Sequence, residues 1–174
     1  MSWRSRSGFF SGVLMSDSKL AWRRAPISMF MATCGGIGHI PGGPGTYAAA
    51  VALPFIYWLS HVLPLLPHLI LLVVFTAVSV WWCDRAGKAL EEDDSRKIVL
   101  DEWVGVWIAL APFTQLTVAE CVVGFIAFRV LDITKPLGIR KIDDQVHGGL
   151  GVMLDDVAAG LVAIIPVLAW RMVV

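Results

Sequence analysis

Five long apolar stretches, separated by short polar segments, dominate the pattern of the chain. They cover residues 47–66, 69–83, 103–113, 116–131 and 157–174. A membrane helix normally needs about 20 predominantly apolar residues, and several stretches reach that length only if their helices extend into the flanking residues. The pattern therefore predicts an all-α fold, an integral membrane helical bundle with four or five membrane-inserted helices.

The composition agrees with a membrane location. Of the 174 residues, 57% are hydrophobic and only 16% are charged, which lies outside the range of ordinary soluble domains. The 14 basic and 14 acidic side chains cancel, so the chain has no net charge that would attract nucleic acid. We expect one membrane-embedded domain over residues 29–174, preceded by a cytoplasmic lead-in over residues 1–28.

The basic residues are distributed unevenly among the polar segments. They lie in the lead-in and in residues 84–100 and 132–156, whereas the links at residues 61–68 and 112–117 contain no lysine or arginine. Because basic residues favour the cytoplasmic side of a membrane, five crossings would place all the basic segments inside. The acidic clusters border the same segments and would share the cytoplasmic face.

Three acidic clusters lie where apolar stretches begin or end: Asp101 with Glu102, Asp132, and Asp155 with Asp156. Ionised carboxylates are costly beside a bilayer and usually mark a functional site there. The first and third clusters are predicted to open helices. Acidic side chains stabilise the positive end of a helix dipole, so capping is an alternative explanation for those two clusters.

Capping does not explain Asp132, which is predicted to end a helix because Pro136 disfavours helical geometry in the residue before it. A carboxylate at that end opposes the helix dipole and needs a counter-charge, either Arg129, Lys135 or a metal ion. Several carboxylates together suit Mg²⁺, which also takes water and substrate phosphate. The clusters thus predict metal-assisted phosphoryl chemistry. The competing interpretation is a small proton- or ion-coupled membrane transporter that uses the same carboxylates.

A glycine-rich loop at residues 34–46 precedes the first long apolar stretch. Backbone amides at a helix N-terminus bind anions, and glycines let the backbone approach them closely. The loop lacks the lysine of a P-loop, so that nucleotide motif is not matched. A bend that needs glycine only for space explains the loop equally well, and Thr46 is either a helix cap or a ligand.

Four segments of the chain together closely resemble the phosphatidylglycerophosphatase A family. They are residues 98–102, 128–136 and 147–156 and the Pro-Gly-Thr loop that ends at Thr46. They occur in the family's order and at similar spacing, within about residues 33–160. The resemblance implies a Mg²⁺-dependent phosphatase of the bacterial inner membrane whose active site faces the cytoplasm. The implied reaction converts phosphatidylglycerophosphate, the lipid substrate, into phosphatidylglycerol and inorganic phosphate.

The residues expected to form the site fall into three groups. The expected metal ligands are Glu102, Asp132 and Asp156. The expected catalytic residues are Asp101 and Asp155, as general bases or further ligands, and His147, as the acid for the leaving alkoxide. The groups expected to hold the substrate phosphate are Gly43, Gly45, Thr46, Lys135 and Arg129.

The chain departs from the family pattern at several places, including Gly138, where the family usually has proline, and Leu131, where it often has an aromatic residue; two further departures bear on the site. After Asp143 the family usually has arginine, whereas this chain has Asp144, so a phosphate-facing role is not carried over to that position. Ala48 and Ala49 stand where the family commonly has glycine and serine, so a serine ligand is absent from this loop.

Overall fold

The computed structural model describes residues 17–92, 95–134 and 149–174, and these residues are all-helical apart from their connecting turns. A short 3-10 turn at Ile37–His39 lies between the second and third helices. The seven α-helices of the described residues are α1 (Asp17–Arg24), α2 (Pro26–Ala32), α3 (Pro44–Val62), α4 (Leu65–Leu90), α5 (Leu100–Leu110), α6 (Val118–Thr134) and α7 (Gly149–Val173).

Each of the five predicted apolar stretches forms one of the helices α3 to α7, so the all-α fold class is confirmed. Two of these helices are long and apolar enough to cross a membrane by length and composition. They are α4, with a mean hydropathy of 2.0, and α7, with a mean hydropathy of 2.1. The larger number of membrane-inserted helices expected from the sequence stays a prediction.

Helix α5 is the centre of the bundle. It has only 11 residues, and most of them are buried, including Val104, Val106 and Trp107. A helix that is apolar all round is stable only when other helices surround it, and α3, α4, α6 and α7 all pack against α5. The indole Nε1 of Trp107 donates a 2.7 Å hydrogen bond to Nε2 of buried His68 on α4.

Glycines bring α5, α6 and α7 into close contact. A Cβ atom at Gly160 of α7 would overlap the backbone carbonyl of Gly105 on α5, and one at Gly105 would overlap the ring of Phe128 on α6. Small residues let helix backbones approach closely enough for extensive van der Waals contact. This close contact fixes the position of α7 along its axis relative to the first turn of α5.

The two N-terminal helices pack against the bundle. Ala21 of α1 and Met29 of α2 are fully buried, and the amide of Val99, just before α5, donates a 2.9 Å hydrogen bond to the carbonyl of Ala32. Helix α2 runs across residue 28, where the sequence predicts the start of the domain. That boundary stays a prediction.

An ion pair joins α6 and α7 at the end of the bundle remote from the acidic clusters. Nε of Arg171 donates to Oε1 of Glu120, and Nη2 of the same guanidinium donates to the carbonyl of Thr114 at 3.1 Å. Thr117 and Glu120 form a reciprocal cap at the start of α6, with the Thr117 amide donating to Oε2 at 2.7 Å. We call Glu120, Arg171 and Thr117 the remote cluster.

Candidate functional site

Three helices converge to bring the predicted carboxylates together. Asp101 and Glu102 lie in the first turn of α5, Asp132 lies in the last turn of α6, and Asp155 and Asp156 lie on α7. The prediction that Asp101 and Glu102 open a helix is confirmed, and Asp132 lies two residues before Thr134, the last described residue of α6. We call these five residues the carboxylate cluster.

The prediction that Asp155 and Asp156 open a helix is wrong. Helix α7 begins at Gly149, so these aspartates lie more than one turn inside it. The effect of the helix dipole falls off within the first turn. Capping therefore does not explain these two aspartates, and their burial needs another source of stabilisation.

Asp132, Asp155 and Asp156 form the part of the carboxylate cluster that fits a metal ion. One carboxylate oxygen from each lies within 4.8 Å of the others. Asp156 is only 3% exposed, and its Oδ2 has no hydrogen-bond partner in the described part of the chain. A buried carboxylate oxygen is costly unless a cation or donor contacts it, and hard oxygen ligands are those that Mg²⁺ prefers. This aspartate group therefore satisfies the chemistry of a divalent-cation site.

Arg129 pairs with two of the carboxylates. Its Nη1 donates to Oε2 of Glu102 and, at 2.8 Å, to Oδ2 of Asp132. The side chains of Arg129, Glu102 and Asp132 are each 15% exposed, so the guanidinium is partly shielded from water. Its Nε is buried and has no partner among the described residues. Arg129 thus supplies the counter-charge predicted for Asp132, and Glu102 contacts Arg129 rather than joining the aspartate group.

The first turn of α5 holds carboxyl groups that resist ionisation. Burial, and then the neighbouring charge of Glu102, raise the pKa of Asp101 well above its usual range. Burial also raises the pKa of Glu102 to about 7, although the guanidinium of Arg129 opposes this shift. Clustered carboxylates repel one another when ionised, so a bound cation would stabilise the charged forms of both.

The N-terminus of α3 lies against the carboxylate cluster. A Cβ atom at Gly45 would overlap the carboxyl group of Glu102, so glycine is required for this close approach. Helix α3 starts at Pro44 with Gly43 at the N-cap position and no side-chain cap. Thr46 therefore does not cap this helix. The sequence suggested Gly45 only for its amide, and its packing against Glu102 was not foreseen because that contact joins residues far apart in the chain.

The remaining predicted site residues lie outside the described residues. They are Lys135 and His147. Asp144, where the chain departs from the family pattern, also lies outside the described residues. Their assigned roles stay predictions. The role of Asp101 as a base also stays a prediction. So does the phosphate-binding role assigned to Gly43, Gly45, Thr46 and Arg129.

A family model described as PgpA, phosphatidylglycerophosphatase A, matches residues 30–171. The chain belongs to the phosphatidylglycerophosphatase A family. The match includes every carboxylate of the cluster and the start of α3, so the resemblance expected from the four sequence segments is confirmed. Membership of a phosphatase family also favours the phosphatase prediction over the transporter alternative.

Curated relatives in the family support the same assignment. The chain is 35% identical over 128 residues to phosphatidylglycerophosphatase A of Escherichia coli (strain K12), covering 74% of each protein. It is 33% identical over 134 residues to phosphatidylglycerophosphatase A of Haemophilus influenzae, covering 77% of this chain and 82% of the relative. A Bacteroides thetaiotaomicron protein named "Putative phosphatidylinositol-3-phosphatase" is 38% identical over 145 residues, covering 80% of this chain and 90% of the relative. No solved structure matches the chain.

Proposed function

We propose that this member of the phosphatidylglycerophosphatase A family is a Mg²⁺-dependent phosphatase that hydrolyses phosphatidylglycerophosphate to phosphatidylglycerol and inorganic phosphate. The observation that carries the proposal is the aspartate group at residues 132, 155 and 156, whose oxygens converge within 4.8 Å beside the partly shielded Arg129. Family membership and the names of two relatives support the choice of substrate.

In the proposed site, Asp132, Asp155 and Asp156 hold the metal. Bound there, Mg²⁺ would offset the negative charge of the phosphate and help to orient the attacking water. Glu102, which the sequence suggests as a ligand, instead positions Arg129 through the ion pair between them. This assignment differs from the sequence-based one by exchanging Glu102 for Asp155.

The other side chains would bind the phosphate and move protons. Arg129 and the backbone amides at the start of α3 would hold the phosphate oxygens, as cations and helix N-termini do for anions. The ionised carboxylate of Asp101 would accept a proton from the attacking water as the new P–O bond forms. The P–O ester bond would break, and His147 would give its proton to the leaving alkoxide.

The proposed setting is the cytoplasmic side of the bacterial inner membrane. Helices α4 and α7 are long and apolar enough to cross a bilayer, and the carboxylate cluster lies near the start of α7 and the end of α6. Cysteine labelling near residues 95 and 140, in a variant without native cysteines, tests the orientation. Labelling from the periplasm alone would contradict it.

Phosphate release by the purified protein tests the proposed reaction. The substrates are phosphatidylglycerophosphate, phosphatidylinositol 3-phosphate and phosphatidic acid, each with Mg²⁺ or with a chelator. We expect turnover of phosphatidylglycerophosphate with Mg²⁺ only, and strong loss in Asp132→Asn. Glu91→Gln is the matched control because Glu91 forms an exposed ion pair with Arg24. Undiminished turnover in Asp132→Asn, or turnover with chelator, would contradict the metal site.

The second candidate substrate is phosphatidylinositol 3-phosphate, favoured by the name of the Bacteroides thetaiotaomicron relative. Both lipids present a phosphomonoester at the membrane surface, so the aspartate group and Arg129 would serve either. Faster release from phosphatidylinositol 3-phosphate than from phosphatidylglycerophosphate would replace the proposed substrate and leave the proposed metal site in place.

A further inference from the structure

An apolar cavity of about 400 Å³ lies between α2, α3, α4 and α5. Its walls include Phe30 of α2, Val51 and Phe55 of α3, Phe75 of α4, and Leu100 and Trp103 of α5. This volume falls within the roughly 300–1,000 Å³ that is typical of ligand pockets. Phe30 is 55% exposed and Val51 is 51% exposed, so the cavity opens sideways between α2 and α3. We call it the α2–α5 groove.

One end of the groove adjoins the carboxylate cluster. Leu100 and Trp103, which line it, flank Asp101 and Glu102 in the first turn of α5. Cys34 also lines the groove, and its thiol donates a 3.8 Å hydrogen bond to the carbonyl of Val99, two residues before Asp101. The groove and the proposed reaction site therefore share the first turn of α5.

The depth of the groove matches one leaflet of a bilayer. Gly45, beside Glu102, and Phe55, in the wall of the groove, are ten residues apart on α3. At about 1.5 Å per residue this corresponds to roughly 15 Å along the helix. The hydrocarbon core of a bilayer is about 30 Å thick, so this length equals about half of it.

We propose that the α2–α5 groove receives one acyl chain of the phospholipid whose phosphate binds at the carboxylate cluster. The inference rests on the proposed function and adds the part of the site that recognises the lipid tail. In a lipid with its phosphate at the cluster, an acyl chain must begin near the first turn of α5 and continue into the leaflet. The groove offers an apolar surface along that course.

A second cavity of about 400 Å³ is a poorer match for the chain. It lies between α4, α5 and α7, and its walls include Ile108 near the end of α5, Ala111 and Pro112 just after that helix, and Val157 of α7, which follows Asp156. Ile108 is seven residues after Asp101, which is roughly 10 Å along the helix. On the α5 side, the wall of that cavity therefore begins well below the first turn that holds Asp101 and Glu102, and the cavity adjoins the cluster at Val157 of α7.

Moving an acyl chain from the bilayer to the groove exchanges one apolar surrounding for another. The hydrophobic effect therefore contributes little to affinity, because the gain depends on removing apolar surface from water. The groove instead orients the lipid so that its phosphate meets the cluster. Positioning of this kind changes turnover steeply when a bound group is displaced by about 1 Å.

The test blocks the groove and compares long-chain with short-chain substrate. Val51→Trp fills the groove, and Val74→Trp is the matched control, because Val74 is 54% exposed on α4 and lies in the wall of neither cavity. We expect Val51→Trp to lower kcat/KM for dipalmitoyl phosphatidylglycerophosphate about tenfold relative to Val74→Trp. Turnover of the dibutyryl substrate should be equal in the two variants, which also shows that both are folded.

Two results would overturn the inference. One is equal kcat/KM of the two variants for the dipalmitoyl substrate, and the other is an equal loss for both substrates in Val51→Trp. If the wild type releases no phosphate from either substrate, the proposed function fails instead. The same variants are then compared for retention of dipalmitoyl phosphatidylglycerol by native mass spectrometry. Loss of lipid in Val51→Trp alone would support the groove, and equal retention would refute it.

Discussion

The two ends of the helical bundle each hold carboxylates beside an arginine, but in different proportions among the described residues. In the remote cluster, Glu120 accepts hydrogen bonds from Arg171 and from the amide and hydroxyl of Thr117. One carboxylate is matched by one guanidinium. In the carboxylate cluster, which has five acidic side chains, Arg129 pairs with Glu102 and Asp132.

This difference separates a structural charge cluster from a functional one. A buried ion pair with satisfied hydrogen bonds holds two helices in register and leaves no acceptor for a ligand. The carboxylate cluster instead retains an oxygen of Asp156 without a partner in the described part of the chain. Repulsion among clustered carboxylates destabilises a fold unless cations offset it. We therefore expect changes at the two ends to affect different properties.

The largest predicted effect is the loss of activity in Asp156→Asn. Removing one carboxylate from the aspartate group should lower kcat by about 1,000-fold, which corresponds to roughly 4 kcal/mol of transition-state stabilisation. The apparent melting temperature without Mg²⁺ should stay equal or rise, because like-charge repulsion decreases. Phosphate release and thermal unfolding in detergent measure the two effects. Activity near the wild-type value would show that Asp156 does not hold the metal.

The next effect is stabilisation by Mg²⁺ itself. A ligand at 100 times its Kd stabilises the folded state by about 2.7 kcal/mol, so Mg²⁺ should raise the apparent melting temperature of the wild type and a chelator should reverse the rise. Arg171→Met should keep this shift because it alters the remote cluster only. Asp156→Asn should lose it. An identical Mg²⁺-induced shift in Asp156→Asn would place the cation elsewhere.

Arg171→Met should lower stability and leave activity unchanged, which is the opposite of the result expected for Asp156→Asn. It leaves Glu120, whose side chain is 5% exposed, without its cation, and the free energy of unfolding should fall by about 2 kcal/mol. This is below the usual cost of breaking a buried pair because the side chain of Arg171 is 35% exposed. Activity of the folded fraction should be unchanged. The double variant with Glu120→Gln should recover stability, and failure to recover would show that Arg171 acts mainly through its packing over Phe113.

The sequence predicts the helices well because the signal is local. Each of the five apolar stretches became a helix, and Asp132 was correctly placed in the last turn of α6. The start of α7 was misplaced because the glycines at 148, 149 and 151 and the pair Asp155 and Asp156 interrupt the apolar pattern before Val157. The helix includes residues 149–156 because it packs closely at its glycines, as at Gly149 beside α4 and Gly160 beside α5.

The composition of the site was predictable, but the pairing within it was not. Asp101, Glu102, Asp132, Asp155 and Asp156 were all identified from their positions at segment ends. Which of them contacts Arg129 depends on how α5, α6 and α7 rotate against one another, and side-chain spacing along the chain carries no such information. This is why Glu102 and Asp155 exchanged roles between the sequence-based hypothesis and the proposed site.

The smallest predicted effect tests how closely α3 must approach the carboxylate cluster. Gly45→Ala should lower kcat/KM about tenfold, because its Cβ would displace the carboxyl group of Glu102, and small displacements in a reaction site are costly. Gly43→Ala is the control, since its Cβ would lie 3.4 Å from Oγ1 of Thr46, an ordinary contact. Equal activity of the two variants would mean that Glu102 can move without disturbing Arg129. The ion pair between Glu102 and Arg129 would then only offset repulsion among the carboxylates of the cluster. It would not be part of the catalytic geometry.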